Sequence, residues 1–204
     1  KRAVAGVSDD QVAALKARLN LQGLVFLYVG RLIALKGIDK LLAAWKVVSD
    51  QRQADGATLL LVGDGPQRAE LERYTRDHGL ANVRFAGAVD YDALGPYYRT
   101  ADVFVIPTLE DNWSLVVPEA MACGLPILCS KYNGCWPEYV TDANGWIFDP
   151  LSRDDTVNCL RRCCAAREKL PEMGNESRHI IGGHTAKEAA AAILEACEMA
   201  IRDK

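Results

Sequence analysis

Along the chain, short runs of consecutive apolar residues alternate with stretches in which apolar positions recur every three or four residues. The runs are LVFLYV (24–29), TLLLV (58–62), VRFAG (83–87), VFVIP (103–107), PILCS (126–130) and GWIF (145–148). With little polar alternation, they predict strands buried on both faces, as a parallel sheet requires. Between them, Ile38, Leu41, Leu42, Trp45 and Val48 form one helical stripe, and Pro66 opens a second helix that carries Leu71 and Tyr74 and ends near Gly79. Leu94 to Arg99 predicts a short third helix and Leu115 to Cys123 a fourth. Ser8 with Gln11, and Thr185 with Glu188, have the spacing of a capping box, which predicts helices from Asp9 to Asn20 and from Ala186 to Arg202. Arg153 to Lys169 reads as a further helix, and Pro171 to Gly183, with three glycines and a proline, as a loop.

Strand and helix in alternation predict an α/β fold, a doubly wound and mostly parallel sheet of about six strands flanked by helices. In such a sheet ligands bind outside the carboxyl ends of the strands. Each unusual segment here directly follows a strand: Gly30 to Gly37, Gly63 to Pro66, Gly87 to Val89, Pro107 to Glu119 and Ser130 to Glu138. All five are expected along one edge.

Composition narrows the function classes. The 204 residues, half of them hydrophobic, suffice for one substantial core. The 27 acidic and 24 basic residues are well mixed and leave a formal charge of −3, so no basic face points to nucleic acid or an anionic membrane. Any anion site must be local. There is no apolar stretch of membrane-spanning length and no signal-peptide core, and the chain begins at Lys1 rather than at a methionine, as a fragment would. The seven cysteines form no CxxC pair and lack nearby histidines, so they read as buried free thiols of a reducing cytoplasm rather than as metal ligands.

Two segments carry candidate chemistry. GRLIALKG, Gly30 to Gly37, sets Arg31 and Lys36 in a loop that ends at a helix start, where backbone N–H groups and the helix dipole favour an anion; a diphosphate suits the pair. It is neither a GxGxxG nor a GxxxxGK[ST] loop. GDGP, with Gly63 and Gly65, allows a ligand close to the backbone but equally makes a tight turn before a helix. Asp90 and Asp92 can hold a metal, or one of them can cap the helix containing Leu94. In LEDNWSLVVPEAMACG, Ser114 reads as an N-cap, so that Pro118 falls in the first turn and sacrifices no hydrogen bond. Glu119 then sits at the binding edge, where a carboxylate accepts two ribose hydroxyls, or is an ordinary first-turn acid, with Glu110 and Asp111 as loop acids.

GRL…KG, LLLVGDGP, VRFAGAV, ADVFVIPT after Tyr98, Asp111 eight residues before Glu119 of EAMACGLPI, and NGCWPEYV together resemble the C-terminal, donor-binding domain of family 4 retaining glycosyltransferases of the GT-B fold. The resemblance runs in order from about Gly30 to Pro150, and the last helix looks like that family's end. It implies that Arg31 and Lys36 bind the diphosphate of a UDP- or GDP-linked sugar and stabilise it as leaving group without a metal or other cofactor. It also implies that Glu119 holds the ribose, that Gly87, Ala88 and Val89 line the base, and that the amides of Leu115 and Val116 face phosphate. It further implies that Asp111 contacts the donor-sugar hydroxyls, and that Gly30, Gly63, Gly65, Glu110, Asn112, Trp113 and Ser114 are among the donor-binding residues.

The domains expected on this reading are a leading helix and linker over 1–22, a nucleotide-sugar domain over 23–170, and a loop with a final helix over 171–204. The acceptor-binding N-terminal domain is absent, and the fragment alone is expected to be inactive. Three positions depart from the family's pattern: Asp111 replaces Glu, which shortens the sugar contact by a methylene or passes it to Glu110; Ser114 replaces Gly; and Cys135 replaces the second Gly of a GG pair. A sugar-nucleotide epimerase of the same fold and a non-catalytic nucleotide-binding module are the alternatives, and the cytoplasm, with any membrane attachment through the N-terminal domain, is the expected location.

Overall fold

A computed structural model describes residues 6–51, 56–184, 190, 194, 195 and 197–199. The six apolar runs are six strands: β1 (Val25–Val29), β2 (Thr58–Val62), β3 (Val83–Gly87), β4 (Val103–Ile106), β5 (Ile127–Ser130) and β6 (Gly145–Phe148). All pair in parallel, in the order β3-β2-β1-β4-β5-β6. Winding proceeds outward from β1 on one side and from β4 on the other. The crevice at the carboxyl ends of these two strands is therefore the topological switch point.

The helices are α1 (Asp9–Arg18), α2 (Ile38–Asp50), α3 (Arg68–Asp77), α4 (Gly95–Thr100), α5 (Val116–Ala122), α6 (Arg153–Ala165) and α7 (Leu170–Gly182). Because successive strand side chains point to opposite faces, each strand serves two layers. Phe26, Tyr28, Leu59 and Leu61 join Leu41, Trp45, Leu71 and Leu160 in one core. Val25, Leu27, Leu60 and Phe104 join Leu15, Tyr98, Val117 and Met121 in the other. Both faces are covered by helices, and every residue of β1 and β2 is buried.

The capping box on α1 forms as expected, Gln11 N–H donating to Ser8 Oγ at 3.2 Å and Ser8 N–H to Gln11 Oε1 at 2.8 Å. The helix stops at Arg18, two residues early, because Asn20 adopts a left-handed φ of 47°. Over 153–169 the expected helix is broken at Ala166 and followed by a 3-10 turn.

A larger correction concerns Pro171 to Gly183, expected as a loop and found as α7. Pro171 is the second helical residue, where its missing N–H costs nothing. Gly174 is a packing position: a Cβ there would lie 2.0 Å from the Gly124 carbonyl oxygen, at the end of α5. Arg178 Nη2 completes the contact by donating to the Cys123 carbonyl at 3.0 Å. The helix expected from Ala186 to Arg202 falls mostly outside the described residues. All seven cysteines are free thiols; burial pushes Cys159 up to about 12.

Candidate functional site

The loop after β1 is set by backbone packing against its neighbours. Tyr28, fully buried, donates its hydroxyl to the Arg31 carbonyl at 2.9 Å. Leu32 N–H donates to the Asp64 carbonyl at 2.9 Å, and Gln67 N–H to the Leu32 carbonyl at 3.1 Å. A Cβ on Gly63 would stand 1.8 Å from the Gly30 carbonyl oxygen, and one on Gly65 2.4 Å from that of Leu32. Gly63 N–H also donates to the Gly87 carbonyl at 2.8 Å. Gly30, Gly63, Gly65 and Gly87 thus hold three edge loops in register, which accounts for GDGP without a ligand.

This brace presents the two cations. Arg31 is exposed and has no ion-pair partner among the described residues. Lys36 ends a 3-10 turn, Ala34–Lys36, and Gly37 at φ 63° swings the chain into α2. Among the described residues, the amides of Ile38, Asp39 and Lys40 at the start of α2 have no acceptor, so the positive end of that helix opens on the crevice.

The loop after β4 is tied to the same place. Leu109 N–H donates to the Leu35 carbonyl at 2.8 Å, and the Thr108 hydroxyl lies 3.0 Å from that oxygen and 2.9 Å from the Glu110 carbonyl. These bonds bring Asp111 to Lys36, and the two form an ion pair. The same carboxylate oxygen accepts the Ser114 hydroxyl, and the other accepts Trp113 N–H at 3.3 Å. Burial works against the charge of Asp111, but the bonds from Lys36 and Ser114, the Lys36 charge and the Trp113 amide outweigh it and hold the carboxyl below its usual pKa.

A folded pKa below the unfolded one means stabilisation that is fully present above the unfolded value, 3.8, and is lost as the pH falls through the folded value. Asp111→Asn is therefore expected to lower the thermal midpoint at pH 7. The gap to the parent should close as the pH is taken below 4 in unfolding scans; a gap that stays constant down to pH 2 would sink the ion pair's role.

Ser114 corrects the sequence reading. It does not cap a helix: its hydroxyl goes to Asp111, and it accepts from Asn133 Nδ2 at 2.8 Å. Helix α5 begins at Val116, one residue later than expected, with no side-chain cap, and Pro118 is its third residue. The amides of Leu115 and Val116 have no acceptor among the described residues. Leu115 is 69% exposed and Trp113 43%, the latter standing edge-on to Tyr139 at 5.1 Å. Glu110 and Asn112 are exposed beside them.

Glu119 is held apart from this cluster. Tyr98 donates its hydroxyl to Glu119 Oε2 at 3.0 Å, and burial first, then the Glu119 charge, raises the Tyr98 pKa. The Glu119 charge also raises that of the exposed Tyr91. Two phenols therefore flank this carboxylate, near the Gly87 to Val89 turn, where Ala88 is exposed and Val89 half-buried. Asp90 occupies a cap position only through its backbone, its carbonyl accepting from Ala93 N–H at 2.9 Å. Among the described residues, no group of three or more His, Cys, Asp and Glu is placed to hold a metal.

The structure thus gathers Lys36, Asp111, Ser114 and the open amides of α2 and α5 around the switch point, with Arg31 on its exposed side. Asn133, buried in the loop after β5, belongs to the cluster and was not anticipated; an Asn-Gly pair in a loop signals a turn, not a partner nineteen residues away. A cleft of about 640 Å³ lined by Trp146, Arg162, Lys169 and Met173 opens at the amino end of β6, the wrong end of the sheet for these groups.

The model of the family described as glycosyl transferases group 1 matches residues 13–180. The chain belongs to this family. It is 33% identical over 155 residues to the sulfoquinovosyl transferase SQD2 of Arabidopsis thaliana, a match covering 74% of this chain and 29% of that protein. It is 32% identical over 205 residues to a D-inositol 3-phosphate glycosyltransferase of Streptomyces bingchenggensis, covering 95% of this chain and 45% of the other. A GDP-mannose-dependent alpha-(1-6)-phosphatidylinositol monomannoside mannosyltransferase of Mycobacterium tuberculosis is 31% identical over 159 residues, 74% of this chain and 40% of its own length. The chain therefore spans less than half the length of these relatives.

Among solved structures, the sucrose-phosphate synthase of Thermosynechococcus elongatus superposes with a TM-score of 0.74 at 30% identity, over 94% of this chain and 49% of that one. Anabaena HepE, crystallised with UDP and glucose, superposes with a TM-score of 0.78 at 20% identity, over 93% and 53%, and shares the fold. The glycosyltransferase group 1 chain thus has the Rossmann-like architecture of GT-B enzymes. No described helix is long and apolar enough to cross a membrane.

Proposed function

We propose that this chain is the nucleotide-sugar-binding part of a glycosyltransferase that transfers a hexosyl group with retention of configuration. The observation that carries the reading is the meeting of Lys36, Asp111 and the open amides of α2 and α5 at the switch point between β1 and β4. A cation beside unpaired N–H groups is a site for a diphosphate. Arg31, exposed and unpaired among the described residues, closes bidentately on the phosphate oxygens. The nucleoside runs toward Glu119, where ribose hydroxyls displace or share the phenol donors, with the base along Gly87 to Val89. The sugar lies by Asp111, Glu110 and the Trp113 ring.

In transfer, the bond between the anomeric carbon and the diphosphate oxygen breaks, and the negative charge that develops on the diphosphate is met by Lys36, Arg31 and the helix amides. The departing oxygen takes the proton of the acceptor hydroxyl, which bonds to the same face of the sugar. No metal is required for this charge, so binding persists in EDTA. The acceptor is held by the part of the protein that the longer relatives possess beyond this span, and the chain alone binds donor without transferring it. Its buried free thiols fit a reducing cytoplasm.

Calorimetric titration of this chain with UDP, GDP and ADP in EDTA tests the reading. One nucleotide is expected to bind, and Lys36→Ala to weaken it about tenfold, or about 1.4 kcal/mol. Absence of binding by all three at millimolar concentration would overturn it.

A further inference from the structure

Asn133 is only 1% exposed and both ends of its amide are spoken for. Its Oδ1 accepts Cys135 N–H at 3.0 Å, which makes that end the acceptor and turns Nδ2 toward Ser114, where it donates to Oγ at 2.8 Å. With the amide hydrogen on its oxygen, the Ser114 hydroxyl directs its own hydrogen to Asp111, whose Oδ2 also receives Lys36. The bonds therefore run one way, from the Cys135 amide through Asn133 and Ser114 to the carboxylate. The backbones reinforce the register: Asp111 N–H donates to the Tyr132 carbonyl at 3.2 Å, and Gly134 N–H to the Asp111 carbonyl at 2.8 Å. Away from water such a chain is stiff, since each broken link strands a buried polar group.

We propose that Asn133 is a positioning residue of the diphosphate site, acting through Ser114 to fix the Asp111 carboxylate and with it the ammonium of Lys36 at the mouth of the crevice between β1 and β4. This rests on the reading of that crevice as a diphosphate site. A free lysine side chain loses much rotamer freedom when it receives an anion; one already anchored by a fixed carboxylate loses less, and the anion binds more tightly. Asp111 is matched to Ser114 and Asn133, which hold its short carboxylate beside Lys36.

The test uses Asn133→Ala, Ser114→Ala, their combination, and Asn133→Asp. The last keeps the shape but can only accept from Ser114, so it draws the hydroxyl hydrogen away from Asp111 and reverses the chain. Two quantities are read: the titration of the Asp111 carboxyl by carbon-13 NMR in the ligand-free chain, and the calorimetric affinity for UDP or GDP, whichever the parent binds. The Asp111 midpoint is expected to rise in every variant. Affinity is expected to fall about tenfold in each single alanine variant and no further in their combination, because both break one chain. An Asp111 titration unmoved by the variants, a titration that moves with affinity unchanged, or two losses that add would each overturn the proposal. Ser114→Ala removes only a hydroxyl and decides the matter if the Asn133 variants do not fold. Failure of the parent to bind either nucleotide would bring down the diphosphate reading first, and this one with it; a parent that binds with variants that bind equally well would bring down this one alone.

Discussion

Trp45→Ala is expected to remove about 3–5 kcal/mol of folding stability, the scale of truncating a large buried aromatic. Trp45 is fully buried on α2, meets Phe26 of β1 edge-to-face at 5.2 Å, and donates Nε1–H to Asn82 Oδ1 at 3.2 Å. Asn82 in turn donates to the Ala57 carbonyl at 3.1 Å, and its own carbonyl accepts from Leu59 N–H at 3.0 Å at the start of β2. One substitution therefore opens a cavity under the sheet and strands an amide that braces β2. Against a total of about 5–15 kcal/mol for a domain this is a large fraction. Urea unfolding followed by circular dichroism measures it. Trp45→Phe, which keeps most of the packing and loses the bond, should cost about 1–2 kcal/mol. A loss below about 1 kcal/mol for the alanine variant would mean that the α2 layer is not what holds β1 and β2.

The layer that Trp45 anchors was legible because doubly buried strands leave an unambiguous trace. TLLLV and GWIF coincide with β2 and β6 residue for residue, since a run with no polar face has nowhere to go but between two helical layers; VRFAG coincides with β3 although that edge strand leaves Arg84, Phe85 and Ala86 only partly buried. Helix α7 was not legible, for a related reason. Pro and Gly read locally as helix breakers, but Pro171 falls in a first turn and Gly174 answers to Gly124, fifty residues earlier. Local propensity cannot register a contact of that kind.

The site divides in the same way. Arg31 and Lys36 stand out as candidates because glycines bracket them at a strand end, and Asp111 because acids cluster after β4. Ser114 was misread because the sequence offers only its neighbours: at that spacing a cap is the obvious use of a serine, and the true partners are Asp111, three residues back, and Asn133, nineteen residues on. Glu119 follows a strand end in the sequence, but its bond to Tyr98 on α4 is visible only in the fold. What remained hidden is the set of bonds that joins loops from different strands.

Gly37→Ala is expected to weaken nucleoside diphosphate binding about a hundredfold, more than removal of the Lys36 ammonium itself, because displacement of about 1 Å is enough to spoil a positioned site. The glycine sits at φ +63°, which costs about 1 kcal/mol for a residue with a side chain, and a Cβ would come within 2.2 Å of the Pro107 carbonyl oxygen. That oxygen is backbone at the end of β4 and cannot swing aside. Either the start of α2 or the loop after β4 must move, and each carries half the site: Lys36 precedes the glycine, and Thr108 and Leu109 reach across to the Leu35 carbonyl to deliver Asp111. The expected accompanying loss of stability is about 2–4 kcal/mol. Gly56→Ala is the control, since Gly56 has φ +72° and no atom of the described residues within 4 Å of a Cβ; it should show the backbone cost alone, about 1 kcal/mol, with binding unchanged. Calorimetry and thermal unfolding of both variants separate strain from collision. If Gly37→Ala bound nucleotide as the parent does, the two loops would tolerate the shift, and the site would not depend on their contact.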